Sequence, residues 1–208
     1  GRTEGPHLLL SATLHGDELN GIEIIRRVTA RVDPQKLRGT LIAVPVVNVF
    51  GFITQSRYLP DRRDLNRCFP GSANGSLGSR LAHIFMTRIV TKCTHGIDLH
   101  TAAEGRVNLP QVRGDFADEE THRCAEAFSA PVIIHSSTRD GSLREAAIRQ
   151  GVRLFIYEGG ESHRFNEDAI EAGTRGVLRV MSTLGMRRGG RPRRLHDSIE
   201  VTRRTWVR

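Results

Sequence analysis

His15 and Glu18 lie three residues apart, where the apolar run Leu8-Leu9-Leu10-Ser11-Ala12-Thr13-Leu14 gives way to His15-Gly16-Asp17-Glu18. The run reads as a buried strand, and ligands of α/β proteins collect at the carboxyl ends of strands. Imidazole nitrogen and carboxylate oxygen are good zinc donors, and a site of two histidines and one glutamate leaves a fourth position open. A His-x-x-Glu pair alone is common by chance. A second apolar run, however, ends at Ile97-Asp98-Leu99-His100 and supplies the missing histidine. His15, Glu18 and His100 are therefore the candidate metal set. Zinc in such a set polarises a carbonyl and lowers the pKa of its water to about 7. Cobalt, nickel or manganese also suit it. Asp98 shares a strand face with His100. It is either a carboxylate that orients the imidazole or the partner of an arginine.

Metal-assisted hydrolysis gains from a carboxylate that takes a proton from water and passes it to the leaving group. Glu158 is the best candidate, because it ends an apolar strand run and precedes Gly159-Gly160, where glycine permits a turn and close approach of a ligand. Glu161 and Glu104 end no strand. The segment from Asn48 to Asn74 carries Arg57, Arg62, Arg63, Asn66 and Arg67. The arginine fork suits a carboxylate or a developing oxyanion. Asn66-Arg67 beside Phe69-Pro70-Gly71 looks placed, whereas Arg62 and Arg63 read as solvated. The remaining histidines have no partner at ligand spacing and read as surface or packing residues.

Elements must position these groups. Leu19, Ile22, Ile25 and Val28 recur at helical spacing after Glu18. Thr40 to Val47 is a strand candidate in which Pro45 points to an edge or a bulge. Asn48 to Asn74 reads as a long functional loop, Leu77 to Val90 as a helix, and Gly96 to His100 as a strand. Thr101 to Asp115 reads as another loop. Asp118 to Phe128 and Ser142 to Arg149 are helices, Pro131 to His135 and Val152 to Tyr157 strands, and Phe165 to Leu184 the last long helix. Strands alternating with helices predict an α/β sandwich with a largely parallel sheet. Arg187 to Pro192 has linker composition, and Asp197 to Val207, with Ile199, Val201 and Trp206, alternates like the opening strand of a further domain. The expected division is residues 1–186 as one domain and 187–208 as a linker with the possible start of a missing β-rich domain.

A chain of 208 residues with 38% apolar and 26% charged content fits one globular domain. No apolar run reaches the eighteen or so residues of a membrane helix. Cys68, Cys93 and Cys124 show no metal-like spacing and read as reduced packing residues of a cytoplasmic protein. The net charge is +8, but eight arginines against two acids fall between Met186 and Arg208. The remainder is close to neutral, which argues against a nucleic-acid surface; a binder using the arginine-rich tail would lose affinity steeply with salt.

The set His15-Gly16-Asp17-Glu18, Arg57-Tyr58, Asp64-Leu65-Asn66-Arg67 with Phe69-Pro70-Gly71, Asp98-Leu99-His100-Thr101 and Glu158-Gly159 resembles the succinylglutamate desuccinylase/aspartoacylase family, which is related to the zinc carboxypeptidases. The resemblance covers nearly the whole chain. It implies an α/β fold, a mixed, mainly parallel sheet flanked by helices on both faces, often followed by a β-rich domain. It implies one zinc ion on His15, Glu18 and His100, with Glu158 as general base and then acid. Arg57 would polarise the scissile carbonyl, and Asn66 and Arg67 would hold a substrate carboxylate. The expected activity is hydrolysis of an N-acyl amino acid or similar small carboxylated amide, with no nucleic-acid or membrane partner. The alternatives are a zinc carboxypeptidase acting on peptides and a metal-free structural relative.

Overall fold

The computed structural model describes residues 1–187 and 198–202. In chain order its elements are β1 (Thr3–Ala12), α1 (Asn20–Ala30), β2 (Arg38–Val44), α2 (Val49–Ile53), α3 (Leu77–Arg88), β3 (His95–His100), β4 (Asn108–Gly114), α4 (Glu119–Phe128), β5 (Val132–His135), α5 (Leu143–Arg149), β6 (Arg153–Gly160), α6 (Glu167–Thr183) and β7 (Ile199–Val201). The strands form one sheet in the order β2-β1-β3-β6-β4-β5-β7. Neighbours are parallel except β6 and β4, which run antiparallel. The sheet is thus mixed and mainly parallel, with helices on both faces.

The alternation of a strand explains both layers. Leu8, Leu10 and Ala12 of β1, Ile97 and Leu99 of β3, and Phe155 and Tyr157 of β6 pack against α1, α4 and α6 through residues such as Ile24, Phe128 and Val177. Leu9 and Leu154 face the other way, against Ala82 and Phe85 of α3 and Leu143 and Ala147 of α5. β1, β3 and β6 are paired on both sides and covered on both faces, which is why they read as continuous apolar runs. By the same alternation Ser11, Asp98, His100 and Glu158 all point to the α3/α5 side, at or near the carboxyl ends of three neighbouring strands.

Three expectations change. Thr101 to Asp115 is not simply a loop, because its second half is β4. β4 lacks the apolar run of the central strands: Pro110 interrupts it, Leu109 is exposed, and only Gln111, Val112 and Gly114 are buried. It is held instead by antiparallel pairing with β6. The long Asn48 to Asn74 segment contains α2, capped by the Asn48 side chain accepting from Gly51 N at 2.9 Å, and a 3-10 turn at Leu65–Arg67. Within the predicted strand at Asp197 to Val207, Ile199–Val201 forms β7 and pairs in parallel with β5 as an edge of the same sheet. Residues 188–192 of the predicted linker, and Trp206, lie outside the described residues. Pro45 follows β2, which is the other edge strand, in keeping with its missing N–H. No helix among the described residues is long and apolar enough to cross a membrane.

Candidate active site

The turn after β1 is built to present two side chains. Thr13 adopts a left-handed backbone (φ 55) that a β-branched residue rarely takes. Its hydroxyl donates to Pro45 O at 3.0 Å and Glu18 O at 3.3 Å, and Asn48 N donates to Thr13 O at 3.0 Å. These bonds hold the strained residue and bend the chain toward the sheet end. Gly16 is required by close approach: a Cβ there would lie 2.0 Å from the Gly51 carbonyl carbon. Asn20, at the start of α1, donates to Gly159 O at 2.9 Å and accepts from Asn166 N at 2.9 Å, so the turn is tied to the end of β6.

His15, Glu18 and His100 meet as buried neighbours whose donor atoms lie within 4.8 Å of one another. Glu18 Oε1 lies 2.7 Å from His15 Nδ1 and Glu18 Oε2 lies 2.7 Å from His100 Nδ1. The ring centroids are 5.1 Å apart. Each outer nitrogen has its own carboxylate. Asp98 Oδ2 is 2.6 Å from His100 Nε2 while its Oδ1 accepts from Ser11 Oγ at 2.7 Å, and Asp64 Oδ1 is 3.2 Å from His15 Nε2. Of the two readings of Asp98, the geometry selects the imidazole partner. Two imidazoles backed by carboxylates, with their Nδ1 atoms turned toward a third carboxylate, are a donor set that fits a zinc-class cation.

Arg57 reaches into the cluster, donating from Nη1 to Glu18 Oε1 at 3.3 Å and from Nη2 to Asp64 Oδ2 at 3.2 Å. The charges respond to this company. Burial opposes charge on Glu18, yet the His15 and His100 charges and hydrogen bonds hold it well below the usual carboxylate range. Burial would lower both imidazoles. Asp98 and Glu18 outweigh it at His100, which is raised well above its ordinary value, and Glu18 and Asp64 do so at His15. Glu158 is raised by burial, with Arg113 and His100 pulling the other way.

The cluster opens into a cavity of about 430 Å³. Every sequence-predicted site residue lines it: His15, Glu18 and His100, Arg57, Asn66 and Arg67, and Glu158. Glu158 stands beside His100 in the register of β6 and β3. Asn66 is fixed by its Oδ1 accepting from Leu143 N at 2.9 Å, which leaves its NH2 to donate. Arg67 donates to the Asn66 carbonyl. Arg106, Arg113, Arg139 and Arg144 add positive charge to the wall, and Glu18 and Glu158 are its acids. Spacing alone assigns no role to Asp64, Asn108 or Arg113, because each acts through a contact between distant segments. A weak signal exists for Asp64, which opens the Asp64-Leu65-Asn66-Arg67 turn and caps it through its own side chain.

Comparison with known proteins places this geometry. Residues 4–184 match the model of the succinylglutamate desuccinylase/aspartoacylase catalytic domain. An N-alpha-acetyl-L-2,4-diaminobutyric acid deacetylase from Halomonas elongata is 30% identical over 162 residues, covering 74% of this chain and 47% of the relative. A crystal structure of a succinylglutamate desuccinylase/aspartoacylase from Rhodobacter sphaeroides superposes with a TM-score of 0.83 at 31% identity, over 90% of this chain and 58% of that one. The product-bound ectoine utilization protein EutE (DoeB) from Ruegeria pomeroyi shares the fold, with a TM-score of 0.89 at 24% identity over 98% of this chain and 64% of that one. The chain spans less than two thirds of the length of each of these relatives.

Proposed function

The chain belongs to the succinylglutamate desuccinylase/aspartoacylase family, and on that premise we propose that residues 1–186 form a zinc-dependent hydrolase domain that cleaves the amide of an N-acyl amino acid or similar small carboxylated amide. The observation that carries this reading is the convergence of His15, Glu18 and His100 from two strand ends at the floor of an arginine-lined cavity, with Glu158 on its wall. His15, Glu18 and His100 hold the zinc in this reading. Zinc in such a donor set supplies Lewis acidity toward a carbonyl and toward water.

The chain's own residues do the rest. Glu158 takes a proton from the attacking water and delivers it to the departing amine; burial holds its pKa above the usual carboxylate value, which suits a group that must accept and then release a proton. Arg57, anchored on Asp64, donates to the carbonyl oxygen as negative charge develops there. The Asn66 NH2 and the Arg67 guanidinium bind a substrate carboxylate and set the register of the amide. The arginines of the wall favour an anionic ligand.

The test is metal content and turnover together. Elemental analysis of wild type and His100→Ala should give one zinc per chain in the first and none in the second. N-acyl amino acids should be hydrolysed in preference to short peptides, and Glu158→Gln should keep its zinc while losing about 10²–10⁴-fold in rate. Zinc-free wild type after zinc is added back would overturn the metal assignment. Retained activity in Glu158→Gln would overturn the role of Glu158, and faster turnover of peptides would favour a carboxypeptidase.

A further inference from the structure

Glu158 is gripped from one neighbouring strand. β4 runs antiparallel to β6 and places Gln111 opposite Glu158 in the register. From that strand Asn108 Nδ2 donates to Glu158 Oε2, and Arg113 Nη1 lies 3.4 Å from Glu158 Oε1. Each carboxylate oxygen therefore has its own holder. The Glu158 and Arg113 side chains are 17% and 21% exposed. Arg113 Nε is buried with no hydrogen-bond partner among the described residues, and Nη1 of the same guanidinium faces Glu158.

A glutamate on a flexible stem samples several rotamers unless something fixes it. A general base must lie within hydrogen-bond reach of the proton it takes. It must also be ionised when substrate arrives, although burial works against the charge. The charged groups facing Glu158 are Arg113 from β4, His100 from β3, and His15 and Glu18 from the turn after β1. The first three favour the carboxylate and Glu18 disfavours it. Arg113 is the cation paired with it.

We propose that Asn108 and Arg113 are positioning residues that hold the two oxygens of the Glu158 carboxylate and aim it into the cavity. The inference rests on the proposed role of Glu158 in hydrolysis, but it concerns the chain's own residues and has a readout that needs no turnover. Neither residue touches the reacting atoms; both act through Glu158.

The decisive experiment pairs crystal structures of wild type, Asn108→Ala, Arg113→Gln and Arg113→Lys with their kinetics on an N-acyl amino acid, at metal contents shown to be equal. Wild type should hold Glu158 in one rotamer with both contacts made, and Asn108→Ala and Arg113→Gln should show the side chain turned or split between rotamers. Asn108→Ala should lower kcat about tenfold or more while leaving KM for the N-acyl amino acid unchanged, because a misaimed base still permits binding. Arg113→Gln should lower kcat likewise, and Arg113→Lys should restore much of it. A Glu158 side chain held as in wild type in both Asn108→Ala and Arg113→Gln, or an unchanged kcat in Asn108→Ala, overturns the proposal. If Arg113→Gln does not fold, the Glu158 rotamer and the kcat of Asn108→Ala decide in the same way. If wild type hydrolyses no N-acyl amino acid, the proposed function fails, whereas the structures still decide whether Asn108 and Arg113 aim the carboxylate.

Discussion

Replacing Asp98 with Asn removes one charge from behind the His100 ring and little else. Asp98 is 1% exposed, with one oxygen 2.6 Å from His100 Nε2 and the other accepting from Ser11 Oγ at 2.7 Å. The Asn oxygen still accepts from the ring N–H, and the Ser11 hydroxyl rotates to accept from the new NH2. Both hydrogen bonds survive and charge is the variable. Partners of this kind change metal affinity by about 10–100-fold. With the geometry kept, Asp98→Asn belongs near the lower end, about 1.4 kcal/mol. Asp98→Ala also strands a ring N–H and a hydroxyl in the interior. It should approach the upper end and destabilise the metal-free fold by about 1–3 kcal/mol. The assay is zinc competition against a chelator of known affinity, repeated across pH. Burial lowers the His100 pKa, but Asp98 and Glu18 raise it further, and zinc must displace that proton. Removing the Asp98 charge weakens the competition from protons. The deficit should therefore be widest at high pH and narrow as pH falls. Zinc affinity equal to wild type at every pH would refute the coupling of Asp98 to the metal through His100. Complete loss, as deep as in His100→Ala, would mean that Asp98 binds the metal itself.

Other consequences are as direct. Gly16→Ala places a methyl 2.0 Å from the Gly51 carbonyl carbon, so the turn that carries His15 and α2 must separate; overpacking of about 1–3 kcal/mol should lower Tm by several degrees, and an unchanged melting curve would deny the close contact. Arg67→Ala should raise KM at least about tenfold for a carboxylated substrate with little change in kcat, and should make no difference with a carboxamide analogue; equal losses on both would remove Arg67 from carboxylate binding. Tyr157→Phe deletes a hydroxyl, buried in the core, that donates to Ala169 O at 2.7 Å, and urea unfolding should show a loss of about 1 kcal/mol or more. In the metal-free protein Asp64 has a depressed pKa: burial raises it, but the His15 hydrogen bond and the His15, Arg57 and Arg67 charges outweigh that. Its stabilisation is complete above the unfolded value of about 3.9 and is lost as pH falls through the folded value. Asp64→Asn should flatten the acid side of the stability curve, measured by denaturant unfolding at successive pH values.

The residues of the candidate centre were legible in the chain itself. His15 and Glu18 follow one apolar strand run while His100 and Glu158 close two others, and a side-chain period of two puts His100 and Glu158 on one face. The alternation of strands and helices likewise gave the α/β layers. Local grammar reached less far where an element lacks its own signal. β4 carries Pro110 and an exposed Leu109, and it exists because β6 offers an edge to pair with. α2 is five residues long, too short for a periodicity to show.

Sequence order contained the donors but not their arrangement. Which carboxylate stands behind which imidazole follows from the β1–β3 pairing, which sets Ser11 opposite Asp98, and from the fold of the Asn48 to Asn74 segment, which brings Asp64 to His15 over a separation of 49 residues. Asn108 and Arg113 reach Glu158 only because one strand runs against the direction of its neighbour. Residue type determines what a side chain is able to do. Strand order and register, set by burial and hydrogen bonding across the whole sheet, decided which side chains meet.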